Sequence, residues 1–163
     1  MKKTLFMVLV AVFVLSFAYI ANAIHETEPS GTMAIGPSAD AAKLYVYITK
    51  SAPYREKFKL WPGKGKLYSG MGPHGPFLTT YVNAAALHSI RSMGEMADGS
   101  IIVNEEYTAN KKLQALTVMY KTKGSDPQTN DWFCAKYDAL NGYVEESGKS
   151  ASCITCHGPK KED

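Results

Sequence analysis

The feature that most constrains this chain is Cys153-Ile154-Thr155-Cys156-His157, a close pair of thiols followed at once by an imidazole, with only Gly158 to Asp163 behind it. Residues three apart on a helical turn share one side of it. At that spacing the two sulfurs reach the two vinyl groups along one porphyrin edge, and the next residue carries its ring beneath the iron. The second ring nitrogen is left to donate to a carbonyl or carboxylate, which fixes the ring's orientation. The pattern predicts one covalently attached haem c, held through Cys153 and Cys156 with His157 as axial iron ligand. The opposite wall of the pocket is then expected to come from upstream, unlike small electron carriers whose motif lies near the N-terminus and whose later methionine closes the site.

Two other uses of such a motif fit less well. A zinc ribbon needs a second cysteine pair, and only Cys134 remains. A thioredoxin-type pair belongs to a βαβ unit, whereas this one stands at the end of the sequence. Three cysteines in an exported chain would otherwise suggest one disulfide and a leftover thiol. Cys134, between Phe133 and Ala135, reads as a buried free thiol, with an intermolecular bridge as the alternative.

Export is expected from the N-terminus. Lys2 and Lys3 precede an apolar stretch from Leu5 to Ile20, and Ala21-Asn22-Ala23 is a small-residue cleavage site. Cleavage would leave a chain starting near Ile24, periplasmic or otherwise exported, with no further membrane association. An uncleaved anchor is the alternative, disfavoured by polar Glu26, Thr27 and Glu28 just after the site. Removing Lys2 and Lys3 takes the basic count from 18 to 16 against 15 acidic residues. That near-neutral balance, with no basic patch interleaved with aromatics, excludes nucleic acid as a partner. Lys64, Lys66, Lys111 and Lys112 read as solvated surface.

Residues 24–37 are rich in Gly, Pro, Ser and Thr and read as a flexible leader, leaving 38–163 as a single haem domain. Ser38 is placed as a helix N-cap before Ala41, Leu44, Tyr45 and Ile48, a helical recurrence that Pro53 ends or bends. Trp61 to Pro76, punctuated by glycines and prolines, predicts an irregular loop. Strands are expected at Phe77 to Val82, Ser100 to Val103 running on toward Tyr107, Lys112 to Lys121, and Trp132 to Tyr137. Asn83 caps a short helix to about Ile90, and Asp98-Gly99, 124–130 and 138–142 are turns. A final helix spans Ala151 to His157. The fold class is α+β, mainly β: an antiparallel sheet with a few short helices and a C-terminal haem-attachment helix.

The signal segment, the β-rich body and the single C-terminal motif together resemble the cytochrome P-460 family, with its related cytochromes c′-beta. Tyr54-Arg55, Trp61-Pro62-Gly63, Pro73-His74-Gly75, Tyr81-Val82-Asn83, Asp98-Gly99-Ser100-Ile101-Ile102-Val103-Asn104-Glu105 and Asp131-Trp132-Phe133 match in order, so that the likeness runs from about Tyr54 to His157. The resemblance implies an antiparallel sheet, a homodimer and a haem with an open or lightly packed distal side, in proteins that bind nitric oxide or oxidise hydroxylamine. Its hydroxylamine-oxidising members carry a lysine cross-linked to the porphyrin from the segment before the Asp-Gly turn. Here Leu87 to Ala97 contains Arg91 and no lysine, a departure that weakens the hydroxylamine reading. The runner-up architecture is the four-helix cytochrome c′, which needs four long amphipathic helices that the glycines, prolines and strand-like runs deny.

Several residues are candidates for the distal side. His74 is a possible sixth iron ligand, a hydrogen-bond donor to a bound ligand, or a loop histidine closing a turn. Phe77 is placed to pack over the distal face, as phenylalanines do in the c′-beta relatives, or in the core. Met71 reads as a gap filler, Met93 and Met96 as core residues, and His25 and His88 receive no role. Glu105 and Glu106 are candidate proton-relay carboxylates, alternation placing one toward the protein and the other toward solvent. The expected function is binding of a small nitrogen-oxide ligand such as nitric oxide. The alternatives are electron transfer through six-coordinate haem with an unidentified redox partner, and hydroxylamine oxidation.

Overall fold

The structure is a computed structural model that describes residues 36–157. The expected signal segment 1–23, the leader up to residue 35 and the tail 158–163 lie outside the described residues. Helix α1 (Ala41–Val46) continues into a π-helical turn (Tyr47–Ser51), and Pro53 then begins the single turn of α2 (Tyr54–Lys57). Two short strands, β1 (Lys59–Leu60) and β2 (Tyr68–Ser69), lead to β3 (Phe77–Val82) and α3 (Ala84–Ser92). The rest is an antiparallel meander of β4 (Ile101–Tyr107), β5 (Leu113–Lys121), β6 (Trp132–Asp138) and β7 (Val144–Gly148), closed by α4 (Ala151–His157). The sheet has seven strands in the order β1-β3-β4-β5-β6-β7, with β2 paired to β3. This is the expected antiparallel, mainly β architecture, and it rules out the four-helix alternative.

Register decides which side chains meet. Thr79, Glu105, Leu116 and Tyr137 stand opposite one another across β3 to β6, and so do Tyr81, Val103, Val118 and Ala135. Alternation puts both rows on one face. Leu44 and Ile48 from α1 and its π turn cover that face together with Tyr54 and Phe58, making the main core. Tyr137 is fully buried and donates through its hydroxyl to the Ala41 carbonyl at 2.8 Å, tying the sheet to α1.

The intervening residues form the other face. Val82, Ile102, Met119 and Cys134 make one cross-strand row, and Thr80, Asn104, Thr117 and Lys136 make the next. One row is apolar and the other polar. Asn83 fixes one end of this face: its carbonyl oxygen accepts from the Ala86 and Ile101 amides at 3.0 Å each, and its amide donates to Gly99 at 2.8 Å. The expected cap of α3 is therefore also the joint between that helix and β4.

Several local expectations are corrected. The N-cap of α1 is Asp40, whose carboxylate accepts from the Lys43 amide at 2.8 Å, and not Ser38. The Trp61 to Pro76 loop contains β2, and β1 and β7 were not expected at all. Each is short or paired at an edge, where periodicity gives little signal. Met93 is not a core residue: it ends α3 in the left-handed region (φ 52°) with 94% of its surface exposed. Glu105 and Glu106 are both buried, rather than one facing solvent, because both faces of β4 are covered at that level.

Burial raises the phenol of Tyr54 far above its ordinary value, with the Glu105 carboxylate adding to the effect. Tyr107 is pushed up to about 12 by the same two causes. A raised folded-state value means a contribution that is complete below the ordinary tyrosine pKa of about 10 and is lost as pH rises above it. Unfolding free energy measured in denaturant should therefore be flat from pH 8 to 9 and fall from pH 10 to 12. A flat profile across the whole range would contradict the buried placement of these hydroxyls.

Candidate functional site

The second face of the sheet is the floor of the site. Over it lies a cavity of about 510 Å³, whose lining includes Thr80, Ile102, Asn104 and Met119 from the floor. Trp61 and Tyr68 from the loop before β3 make one wall, and Ile90 and Met96 from α3 and its following loop make another. Ser89 holds that second wall in shape: its hydroxyl donates to the Ala85 carbonyl at 3.2 Å and accepts from the Ala97 amide at 3.0 Å. His157 also lines this cavity.

The segment with Cys153, Cys156 and His157 is positioned by the end of the sheet. Gly148 is paired with Cys134 and takes φ 68°, a left-handed value that glycine adopts without strain, so the chain leaves β7 there and turns back over the floor. The hydroxyls of Ser150 and Ser152 both donate to the Glu146 carboxylate, which pins the start of α4 to β7. Helix α4 thereby brings Cys153, Cys156 and His157 to one smaller cavity of about 100 Å³, shared with His74, Glu106 and Cys134. Asn104, Met119 and His157 line both cavities.

The polar groups of the floor are linked. Tyr68 and Thr80 share a hydrogen bond of 2.5 Å, and Thr80 donates to the Asn104 carbonyl oxygen at 2.6 Å. Glu106 accepts from Thr117 and stands 2.6 Å from the His74 Nδ1. That carboxylate raises the His74 pKa above its ordinary value, against the opposing effect of burial. The rings of His74 and His157 have centroids 6.2 Å apart, tilted by 52°. Cys153 is held below the ordinary thiol range, chiefly by the hydrogen bond from the Cys134 thiol, with Ser152 and Ser150 adding to it.

Of the residues expected from sequence, the structure brings together Cys153, Cys156, His157, His74 and Glu106. Two others lie elsewhere for a reason of parity. Phe77 shares the α1-side face with Thr79 and Tyr81, and it sits under the Lys111 ammonium, 5.5 Å from the ring centroid. Glu105 lies on that same face and accepts from the hydroxyls of Tyr54 and Tyr107 at 2.7 Å each and from the Arg55 Nε at 2.6 Å. Met71 is almost fully exposed. Lys64, expected on the surface, is exposed but also borders the large cavity, 4.6 Å from the Tyr68 ring centroid. Sequence reasoning missed Tyr68, Thr80, Asn104 and Met119 as lining residues. Alternation within the predicted strands was the signal that could have grouped the last three.

Comparison with known families matches residues 54–163 to the one described as Cytochrome P460. The chain belongs to the cytochrome P460 family. Membership implies a haem cofactor, and the site fits one. Its volume lies in the range of about 300–1,000 Å³ usual for small-molecule and cofactor sites. His157 lines that cavity, Cys153 and Cys156 on the same helix line the smaller one beside it, and the floor carries an apolar row. Among the described residues no three His, Cys, Asp or Glu side chains are grouped to hold a metal ion by themselves. No curated protein matches this cytochrome P460 family member.

The two glutamates should separate in a paired test on haem-loaded protein. Glu105→Gln should lower unfolding free energy by about 2 kcal/mol, the cost of weakening a charged acceptor with three donors, and leave the visible absorption bands unchanged. Glu106→Gln should alter those bands. Altered bands in Glu105→Gln would contradict its placement on the far face.

Proposed function

We propose that the protein is an exported monohaem c-type cytochrome whose haem is joined to Cys153 and Cys156 by thioether bonds, with His157 on the iron, and whose cavity admits a small nitrogen-oxide ligand such as nitric oxide. The observation that carries this reading is the position of α4, which sets His157 against the large cavity and Cys153 and Cys156 against the small one beside it, in a chain whose family calls for haem. When bound, the haem supplies an iron centre able to exchange electrons and take small nitrogen oxides. The chain's own residues would do the rest. Ile102 and Met119 keep the floor dry beside the polar row. Asn104 spends its carbonyl oxygen on Thr80, which leaves its amide hydrogens to donate to a polar ligand. Of the two adjacent glutamates, Glu106 is the one to hold or move a proton, because it lines the cavity that contains His157.

Electron transfer through six-coordinate haem is the second reading, favoured by the 6.2 Å separation of the His74 and His157 rings. With Nδ1 engaged by Glu106, His74 has Nε2 to offer either to iron or to a bound ligand. Hydroxylamine oxidation is weaker. The wall contributed by α3 and the loop after it consists of Ser89, Ile90, Met93, Gly94 and Met96, with no lysine.

Optical spectra in both oxidation states, with and without nitric oxide, test the proposal. The ferrous Soret band should shift when nitric oxide is added, and the double variant Cys153→Ala/Cys156→Ala should lose the added haem mass. Six-coordinate low-spin bands indifferent to nitric oxide would overturn the ligand-binding reading in favour of electron transfer. A wild-type mass equal to the bare polypeptide would overturn covalent attachment.

A further inference from the structure

Cys134 takes no part in the function proposed above, yet it lines the same small cavity as Cys153, Cys156 and His157. It sits in the middle of β6 at 6% exposure, last in the apolar row of the floor. Its pairing partner is Gly148, where the chain turns back, so the first turn of α4 is laid over it. Cys134 and Cys153 both line the same small cavity. All three cysteines are reduced in the structure. We infer that Cys134 and Cys153 close into an intrachain disulfide in the haem-free chain, and that this bond is a reversible block on haem attachment.

The chemistry balances with a protein or small-molecule disulfide as oxidant, the class of reagent that an exported chain meets. The Cys153 thiolate attacks one sulfur of that reagent, forming a mixed disulfide and releasing one thiolate. The Cys134 sulfur, losing its proton, then attacks Cys153 and releases the second thiolate. Two cysteine thiols are oxidised, the reagent is reduced to two thiols, and both protons end on them. A thiol joins a vinyl group by adding S–H across the double bond, which a disulfide-bonded Cys153 cannot do. A dithiol reductant reverses the block. The pairing is favoured because both side chains line one cavity of about 100 Å³, and Cys134 stands opposite the glycine at which the chain turns back toward Cys153. The block rests on Cys153 being an attachment point, whereas the disulfide does not.

The test uses the full chain expressed without haem-attachment machinery, equilibrated with oxidised glutathione, alkylated and mapped by mass spectrometry. The expected product has lost two hydrogens, carries a Cys134–Cys153 linked peptide and is alkylated at Cys156 alone. A Cys153–Cys156 bridge, or three alkylated cysteines, would overturn the inference. In the second arm, attachment machinery is supplied under oxidising conditions to wild type and to Cys134→Ala, a substitution that keeps a small apolar side chain in the floor. The variant should gain haem several-fold over wild type, and the two should be equal when a dithiol is added. Equal yields under oxidising conditions would overturn the block. Failure of either protein to take haem with the dithiol present would instead count against the attachment reading itself.

Discussion

The pairing register of β3, β4, β5 and β6 is the constraint on which the rest of the molecule depends. Side chains alternate between the two faces of a strand, so a slip of one residue would exchange them wholesale. In the observed register Val103 and Val118 meet under α1 while Asn104 and Thr117 meet on the other side. The core and the cavity floor are thus two readings of the same four strands. The register is held at one end by Asn83, which joins α3 to β4, and across β4 by Glu105, which gathers Tyr54, Arg55 and Tyr107.

Adjacent residues consequently have opposed duties. Glu105 and Glu106 are neighbours, both buried and both hydrogen-bonded, yet one braces α2 and the other stands in the cavity with His74. Burial of both carboxylates is sustained by the donors that meet them, since an unpaired buried charge is strongly disfavoured. The polar row beside the apolar one gives the cavity sidedness. Groups able to hydrogen-bond lie in one line from Tyr68 through Thr80 to Asn104, and the greasier residues run parallel to it.

Much of this was legible in the sequence because the signals were local. The strands of the meander carry β-branched and aromatic residues bounded by turn formers, and the spacing of Cys153, Cys156 and His157 puts all three on one short helix whatever the fold around it. Asn83 announced its helix by cap chemistry. What escaped depends on partners distant in sequence. Residues of β1 and β2 become strands only because β3 is there to pair with. Phe77 and His74 are three residues apart, but only knowledge of which face β3 turns toward the cavity separates them. Asp40 outcompeted Ser38 as a cap by lying one residue before the helix, a boundary that periodicity alone does not fix. That Cys134 and Cys153 share one cavity depends on the reversal at Gly148.

The meander is complete at Gly148, and the helix that carries Cys153, Cys156 and His157 begins only afterwards. Every ladder in the sheet is therefore closed by residues that precede the two motif cysteines, and α4 hangs from the finished edge like a latch on a frame. Loading the cofactor need not be the event that nucleates the fold. If the haem is joined to Cys153 and Cys156, that joining need not unzip a single pair of strands.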